Sequence, residues 1–477
     1  MSEQPPAIAG RTVLVAGLGV SGVAAARVLL DRQARVLLTD AAQPPAVTEL
    51  TGAGATWLGA LEALPDGVDL VVTSPGWRPD APLLADAAAR GVEVIGEPEL
   101  AWRLRVPGPD GTPAPWLAVT GTNGKTTTVT MLETVLTAAG RRAVAAGNVG
   151  RPLVEVVTAL ADDGSPAYDV IAVELSSFQL HWSSSLAPAA AAVLNVADDH
   201  TDWHGSFAAY RDAKARILER SPVAVADAGD PVAAGLVAGH PGRVTVTLGE
   251  PAPGQLGVRA GVLVDRAFAA DPGGEVLMAR ADLPVPGPHN TVNALAAAAL
   301  ARAAGVPAEA VELGLAGFTG GAHRNVLVAT IDGVDYVDDS KATNPHAAGA
   351  SLAAYPRVVW IAGGLLKGAD VDPLVAAVAP RLAGAVLLGR DRAVVARSLA
   401  RHAPSVPVVE VASGNDGAVD ADRPDAETAM TRVVAAAATL ARPGDTVLLA
   451  PAAASMDVFR DYGHRGRAFA DAVRALR

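Results

Sequence analysis

The segment Trp116–Thr128 reads WLAVTGTNGKTTT. An apolar run leads into Thr120-Gly121-Thr122-Asn123-Gly124-Lys125-Thr126-Thr127, and a helical pattern follows. A buried strand that delivers a glycine loop to a helix start makes a phosphate cradle. The loop N–H groups face the anion, Lys125 reaches its β/γ oxygens, and the Thr126 hydroxyl can hold Mg2+. The general pattern carries one further glycine ahead of this run, where this chain has Val119. The loop is therefore a P-loop variant. Such a loop belongs at the carboxyl edge of a parallel sheet, so it sets the fold class as α/β.

Strand–helix alternation extends in both directions from this loop. Upstream, TVLVAG (Thr12–Gly17) reads as a strand, the segment to Leu30 as a helix, RVLLTD (Arg35–Asp40) as a strand, and VDLVVTSPG (Val68–Gly76) as another. The Pro/Gly-rich stretch RVPGPDGTPAP (Arg105–Pro115) marks a boundary. Downstream come the strands YDVIAVEL (Tyr168–Leu175) and AAAVLNV (Ala190–Val196), then a Gly/Pro-punctuated stretch from about Pro222 to Leu283 that reads as loops with a small sheet. After GFTGGAHR, the run VLVATIDGVDYVDD predicts a hairpin turning at Asp332-Gly333. RVVWIAGG, GAVLLGR and DTVLLAP read as further buried strands, which makes three α/β blocks in series.

Composition narrows the function classes. The 477-residue chain carries a net charge of −12 and only 18% charged residues. That argues against a general nucleic-acid binder or a polybasic membrane anchor. Half the residues are hydrophobic but 4% are aromatic, so the cores must be built from Ala, Val and Leu. There is no Cys, which removes disulfides, thiolate metal sites and thiol nucleophiles and suits a reducing compartment. No signal peptide is visible in MSEQPPAIAG, and Gly, Pro or charge breaks every apolar run before a membrane span is reached. A cytoplasmic protein without membrane insertion is expected.

Further polar loops sit at strand ends. Gly17-Leu18-Gly19-Val20-Ser21-Gly22, with Asp40 closing the next strand, is a dinucleotide-type turn whose ligand could be NAD or another nucleotide. Glu174 ends a strand, where a Mg2+ ligand and a solvated acid are equally compatible with its position. NVADDHTDWH (Asn195–His204) has no zinc spacing, and His200 reads better as a single ligand of a hard cation. Lys214, in YRDAKARIL, reads from pattern alone as a solvent-facing helical lysine. DDSKATNP (Asp338–Pro345), GGLLKG (Gly363–Gly368) and APAAASMDVF (Ala450–Phe459) suggest a second small anion site.

Together, GLGVSG, SPG, TGTNGKTT, GNVG (Gly147–Gly150), ELSSFQL (Glu174–Leu180), NVADDH, HNTVNA (His289–Ala294), AHR, DSKATN and PAAASMDVF resemble the Mur ligase family over nearly the whole chain. The resemblance implies three consecutive domains: an N-terminal Rossmann-like UDP-substrate domain (1–111), a central P-loop-type ATPase α/β domain (112–320) and a C-terminal Rossmann-like α/β domain for the amino acid (321–477). It implies a monomeric enzyme of peptidoglycan precursor synthesis. By the same resemblance, ATP would phosphorylate the carboxylate of UDP-N-acetylmuramoyl-L-alanine, and D-glutamate would attack the acyl phosphate. Two Mg2+ ions, or Mn2+ in their place, would assist.

Residue by residue, the resemblance assigns Thr126 and Glu174 to one Mg2+, and His200 with a carbamylated Lys214 to the other. Lys125, Glu174, His200, Lys214 and His323 form its catalytic set, and Gly121, Thr122, Asn123, Gly124, Lys125, Thr126, Thr127, Asn290, Asn293, Arg324 and Asp339 its ATP contacts. Gly19, Val20, Ser21, Asp40, Ser74, Gly76, Asn148, Ser176 and Gln179 would hold the UDP substrate. His323, Lys341, Thr343, Lys367, Ser455 and Tyr462 resemble the D-glutamate pocket. Two positions depart from the family pattern: Val326 where an acid is common, and Tyr462 where Phe is common. A nicotinamide oxidoreductase would leave Gly-Lys-Thr and Glu174 unexplained, and a nucleotide-binding switch would leave the third block's loops unexplained. Other amide ligases of this fold, the L-alanine-adding and folyl-glutamate enzymes, are nearer rivals.

Overall fold

A computed structural model describes residues 8–412 and 425–476. The strands are, in chain order, β1 (Thr12–Ala16), β2 (Arg35–Thr39), β3 (Thr56–Trp57), β4 (Leu70–Thr73), β5 (Val94–Gly96), β6 (Trp116–Thr120), β7 (Ala143–Gly147), β8 (Val170–Glu174), β9 (Ala190–Val193), β10 (Ala224–Asp227), β11 (Arg243–Val246), β12 (Gln255–Arg259), β13 (Val262–Asp265), β14 (Glu275–Ala279), β15 (Val326–Ile331), β16 (Val334–Asp338), β17 (Val358–Ala362), β18 (Leu382–Leu387), β19 (Val408–Glu410) and β20 (Thr446–Leu449). They form sheets ordered β3-β2-β1-β4-β5, β14-β13-β12-β11-β10-β9-β6-β8-β7 and β15-β16-β20-β17-β18-β19.

The first sheet is parallel throughout. Its order reverses at β1, and that switch point puts the Gly17–Gly22 turn at the carboxyl edge, where ligands of such sheets bind. In the second sheet β6, β8 and β9 lie side by side, so the loops after all three open on one edge. The segment expected to hold loops with a small sheet gives its strands to the central sheet instead. β10 and β11 extend the central sheet in parallel beyond β9, and β12–β14 finish it as an antiparallel meander. The third sheet is parallel apart from the β15–β16 hairpin. Its turn residues have φ 50° at Asp332 and 76° at Gly333, the positive pair a two-residue hairpin loop demands.

The chain divides into two compact units. The larger comprises Met1–Asp282 and Val292–Gly317, and the smaller Leu283–Thr291 and Phe318–Arg477. In the larger unit one apolar core runs from the first sheet (Val13, Val36, Val72) through Trp116 to the second (Ile171, Ala191, Ala224). In the smaller unit the third sheet is covered on both faces, with Trp360 in one cluster and Phe469 in the other. Among the described residues, no helix is long and apolar enough to cross a membrane.

Candidate active site

In the larger unit, β6 hands the chain to the Gly121–Gly124 loop and then to the helix Lys125–Ala138. No side chain caps that helix, and Gly124 stands at its N-cap with φ 84°. The segment after β9 holds the loop from below. Thr122 N donates to Asn195 O at 2.8 Å, Asn123 N to Asn195 Oδ1 at 2.8 Å, and Ala197 N to Thr122 Oγ1 at 3.0 Å. The Thr122 hydroxyl also meets Tyr210 OH at 2.9 Å. Lys125 Nζ folds back on the loop, donating to Gly121 O and Thr122 O.

Glu174, at the end of β8, is buried and takes one hydrogen bond on each oxygen. Thr126 Oγ1 donates to Oε2 at 2.6 Å, and Asn148 Nδ2 to Oε1 at 2.7 Å. A buried carboxylate beside a hydroxyl at the mouth of a glycine loop is a hard oxygen donor set of the kind Mg2+ takes. Among the described residues, no group of three or more His, Asp or Glu gathers into a complete metal cage. Asn293 accepts from Thr128 Oγ1 at 3.3 Å. Its amide oxygen sits so near Gly124 that a Cβ there would overlap it.

Lys214 is not the solvent-facing lysine its sequence pattern suggests. It lies on the helix Phe207–Ala215, is 1% exposed, and donates Nζ to Gly121 O at 2.8 Å while standing 4.7 Å from the Tyr210 ring. Burial first, then the charge of Lys125, pushes its pKa well below the usual lysine value, against the pull of Asp199 and Glu174. His200 has φ 54° and packs 4.7 Å from Phe178. Burial lowers its pKa, and Asp199 partly opposes this. Ser176 and Gln179 are tied to each other. They form the capping box of the helix Ser177–His181, with Gln179 N donating to Ser176 Oγ and Ser176 N to Gln179 Oε1.

At the first sheet, Leu18 N donates to Asp40 Oδ2 at 2.6 Å, and Ser74 Oγ to Gly17 O at 2.7 Å. Only glycine fits at position 22, where a Cβ would strike Gly17 O. Gly19, Val20 and Gly76 are exposed at the same edge, with Ser21 half-buried beside them.

In the smaller unit, His323 Nδ1 meets Asp338 Oδ2 at 2.6 Å at the end of β16. Lys341 N donates to His323 O, and Lys341 Nζ stands 3.8 Å from the Tyr462 ring. Thr343 N donates to Lys341 O at 2.8 Å. Burial pushes Asp339 up to about 6, opposed by Ser351 and Arg324. Asn290 donates to Pro286 O at 2.7 Å. Lys367 is exposed with φ 53°, whereas Ser455 is buried. Val326 opens β15 opposite Asp338. The motifs gave no sign of Tyr210, which braces the Gly121–Gly124 loop through Thr122, or of Arg465, a buried cation under the Asp338–Pro345 loop.

Family models match along the chain: "Mur ligase MurD-like, N-terminal domain" at residues 11–96, "Mur ligase middle domain" at 119–301 and "Mur ligase, glutamate ligase domain" at 323–453. The chain is 55% identical over 478 residues to UDP-N-acetylmuramoylalanine--D-glutamate ligase of Thermobifida fusca, covering 98% of this chain and 99% of that one. It is 54% identical to the protein of the same name from Streptomyces coelicolor, covering 99% of each. In fold it is similar to the MurF ligase of Thermotoga maritima in complex with ADP, with a TM-score of 0.56, 16% identity, and coverage of 99% of this chain and 100% of that one. The three matched models, in this order and at this level of identity to named ligases, make the chain a member of the Mur ligase family.

Proposed function

We propose that the chain joins D-glutamate to UDP-N-acetylmuramoyl-L-alanine, converting ATP to ADP and phosphate, in peptidoglycan precursor synthesis. The observation that carries this reading is the full-length identity to relatives bearing that activity in their names. The proposed enzyme is a cytoplasmic monomer with domains over 1–111, 112–320 and 321–477.

The proposed chemistry uses groups already described. The Gly17–Gly22 turn with Asp40, Ser74 and Gly76 would take the UDP end, and Asn148 the reacting end. In the larger unit the Gly121–Thr127 loop and Asn293 would hold the ATP phosphates, and Asn290, Arg324 and Asp339 are the nucleotide contacts proposed for the smaller unit. Lys125 Nζ would leave its two loop carbonyls for the β/γ oxygens, offsetting charge as the carboxylate attacks phosphorus. Thr126 with Glu174, and His200 with a carbamylated Lys214, would hold two Mg2+ ions, which when bound neutralise phosphate charge. In the smaller unit, Lys341, Thr343, Lys367, Ser455 and Tyr462 would hold D-glutamate. His323, tied to the Asp338 carboxylate, would orient the amine for attack on the acyl phosphate.

Incubation with ATP, Mg2+, UDP-N-acetylmuramoyl-L-alanine and a panel of amino acids tests the reading. Phosphate release and a new amide product are expected with D-glutamate, and neither with L-glutamate or D-aspartate. Comparable turnover of both glutamate enantiomers, or product only with another acceptor substrate, would overturn it.

A further inference from the structure

Arg465 has no part in the chemistry just described, yet it is 1% exposed in the smaller unit. It lies in the first turn of the helix Tyr462–Arg474, whose N-cap is Asp461. Its guanidinium reaches three acceptors: Nε donates to Ser340 Oγ at 2.9 Å, Nη2 to Ser340 O at 2.8 Å, and Nη1 to Ala453 O at 3.1 Å. Ser340 Oγ spends its one proton on Tyr462 O at 2.8 Å. Burial lowers the Arg465 pKa to about 10, with Asp457 and Asp338 opposing, so the group is charged at neutral pH.

These contacts join three separate pieces of chain: the Asp338–Pro345 loop, the Ala450–Phe459 loop and the start of the last helix. Lys341 follows Ser340 directly and lies over the Tyr462 ring. Thr343 N bonds back to Lys341 O. Ser455 is two residues from Ala453 in the sequence. On the next position of the helix, a Cβ on Gly466 would overlap His323 Nδ1, with Asp338 Oδ2 only 2.7 Å away, so the helix also seats against the His323–Asp338 pair. A buried ion is a costly way to fill a core, and an apolar side chain of similar volume often serves stability as well or better. A planar fork with donors in fixed directions does something an apolar residue cannot: it sets the register of the loops it bridges.

We infer that Arg465 is a positioning residue for amino-acid selection. It acts through Ser340 and Tyr462 to hold Lys341, Thr343 and Ser455 at the spacing a two-carboxylate amino acid requires. This rests on the proposed use of that pocket for D-glutamate.

The test compares the full chain with Arg465→Lys and Ser340→Ala. Arg465→Lys keeps the charge but cannot reach three acceptors in one plane. Ser340→Ala removes one rung of the clamp and leaves the arginine in place, so it remains informative if the first variant folds poorly. Each is assayed for KM of all three substrates, for kcat, for discrimination between glutamate enantiomers, and for thermal midpoint. Arg465→Lys is expected to raise the amino-acid KM about tenfold and to lower enantiomer discrimination in step, with kcat and both other KM values within about twofold. Ser340→Ala should move the same two quantities in the same direction by a smaller factor. A lower thermal midpoint with unchanged amino-acid KM and discrimination would make Arg465 a core cation only and overturn the inference. Equal rises in all three KM values would overturn it too. If the unaltered chain prefers another amino acid in the panel, the proposed substrate fails. The clamp is then judged on the KM of that amino acid.

Discussion

Gly121 O accepts from two ammonium groups, Lys125 Nζ and Lys214 Nζ, each at 2.8 Å. One carbonyl cannot offset two ammonium charges, and Lys214, the buried one of the two, is the one that yields, its pKa driven down by burial and by Lys125. A lysine whose burial favours the free amine over the ammonium is the kind that can react with CO2. Its nitrogen lone pair bonds to the carbon, a proton leaves, and a cation becomes an anionic oxygen ligand. A protonated lysine could not ligate Mg2+, since it offers only donors and positive charge. Lys214→Ala should therefore be nearly inactive and partly rescued by formate or acetate, which bring back carboxylate oxygens. Lys214→Arg should be inactive and beyond rescue, because the guanidinium keeps a fixed charge in the site. Phosphate-release assays with and without added formate check both, and full activity in Lys214→Arg would return the residue to a purely structural role.

The helix Glu97–Leu104 links the first two sheets through carboxylates. Glu97 Oε1 accepts from Val154 N at 2.6 Å, at the start of the helix Leu153–Thr158. Glu99 accepts from Ser184 N, Ser185 N and Ser185 Oγ, and from Arg103 Nε. Both acids are buried, and burial pushes Glu97 up to about 7. A folded-state pKa above the unfolded value means that the native chain binds the proton more tightly. The stability this lends is fully present below about 4.5 and is lost as pH rises through 7. Glu97→Gln keeps an acceptor for Val154 N and removes the titration. Its stability relative to the unaltered chain should climb by up to about 3 kcal/mol between pH 4.5 and 8. Urea unfolding across that range checks it, and parallel curves would show that Glu97 does not titrate there. No periodicity announces such a pair, because glutamates near a helix start read as ordinary first-turn acids. What could be read in advance had local causes: the Gly121–Lys125 loop, the Asp332-Gly333 turn, the Gly17–Gly22 edge. The joining of β10–β14 to the central sheet, the burial of Lys214 and the Arg465 clamp depend on contacts between residues far apart in sequence. So does the Asn195 brace on the Gly121–Gly124 loop.

At the scale of the molecule, the apolar core runs without a break from the first sheet into the second, whereas the third sheet has cores of its own. The chain passes between its two compact units after Asp282, after Thr291 and after Gly317. Units with separate cores can unfold separately, and unfolding enthalpy scales with the number of residues. Calorimetry should therefore show two transitions, the one of greater enthalpy belonging to the larger unit. The residues proposed for the UDP substrate (Gly19, Val20, Ser21, Asp40, Ser74, Gly76, Asn148, Ser176 and Gln179) all lie in that unit. A ligand that binds only the folded form, at about 100 times its Kd, adds about 2.7 kcal/mol. UDP-N-acetylmuramoyl-L-alanine should accordingly raise the larger transition by several degrees and leave the smaller in place. D-glutamate, whose proposed contacts lie between His323 and Tyr462, should do the reverse. If both transitions moved together with either ligand alone, the two sites would share one cooperative unit, and the assignment of substrate to unit would fail. If the UDP substrate moved only the smaller transition, the Gly17–Gly22 edge would lose its proposed ligand.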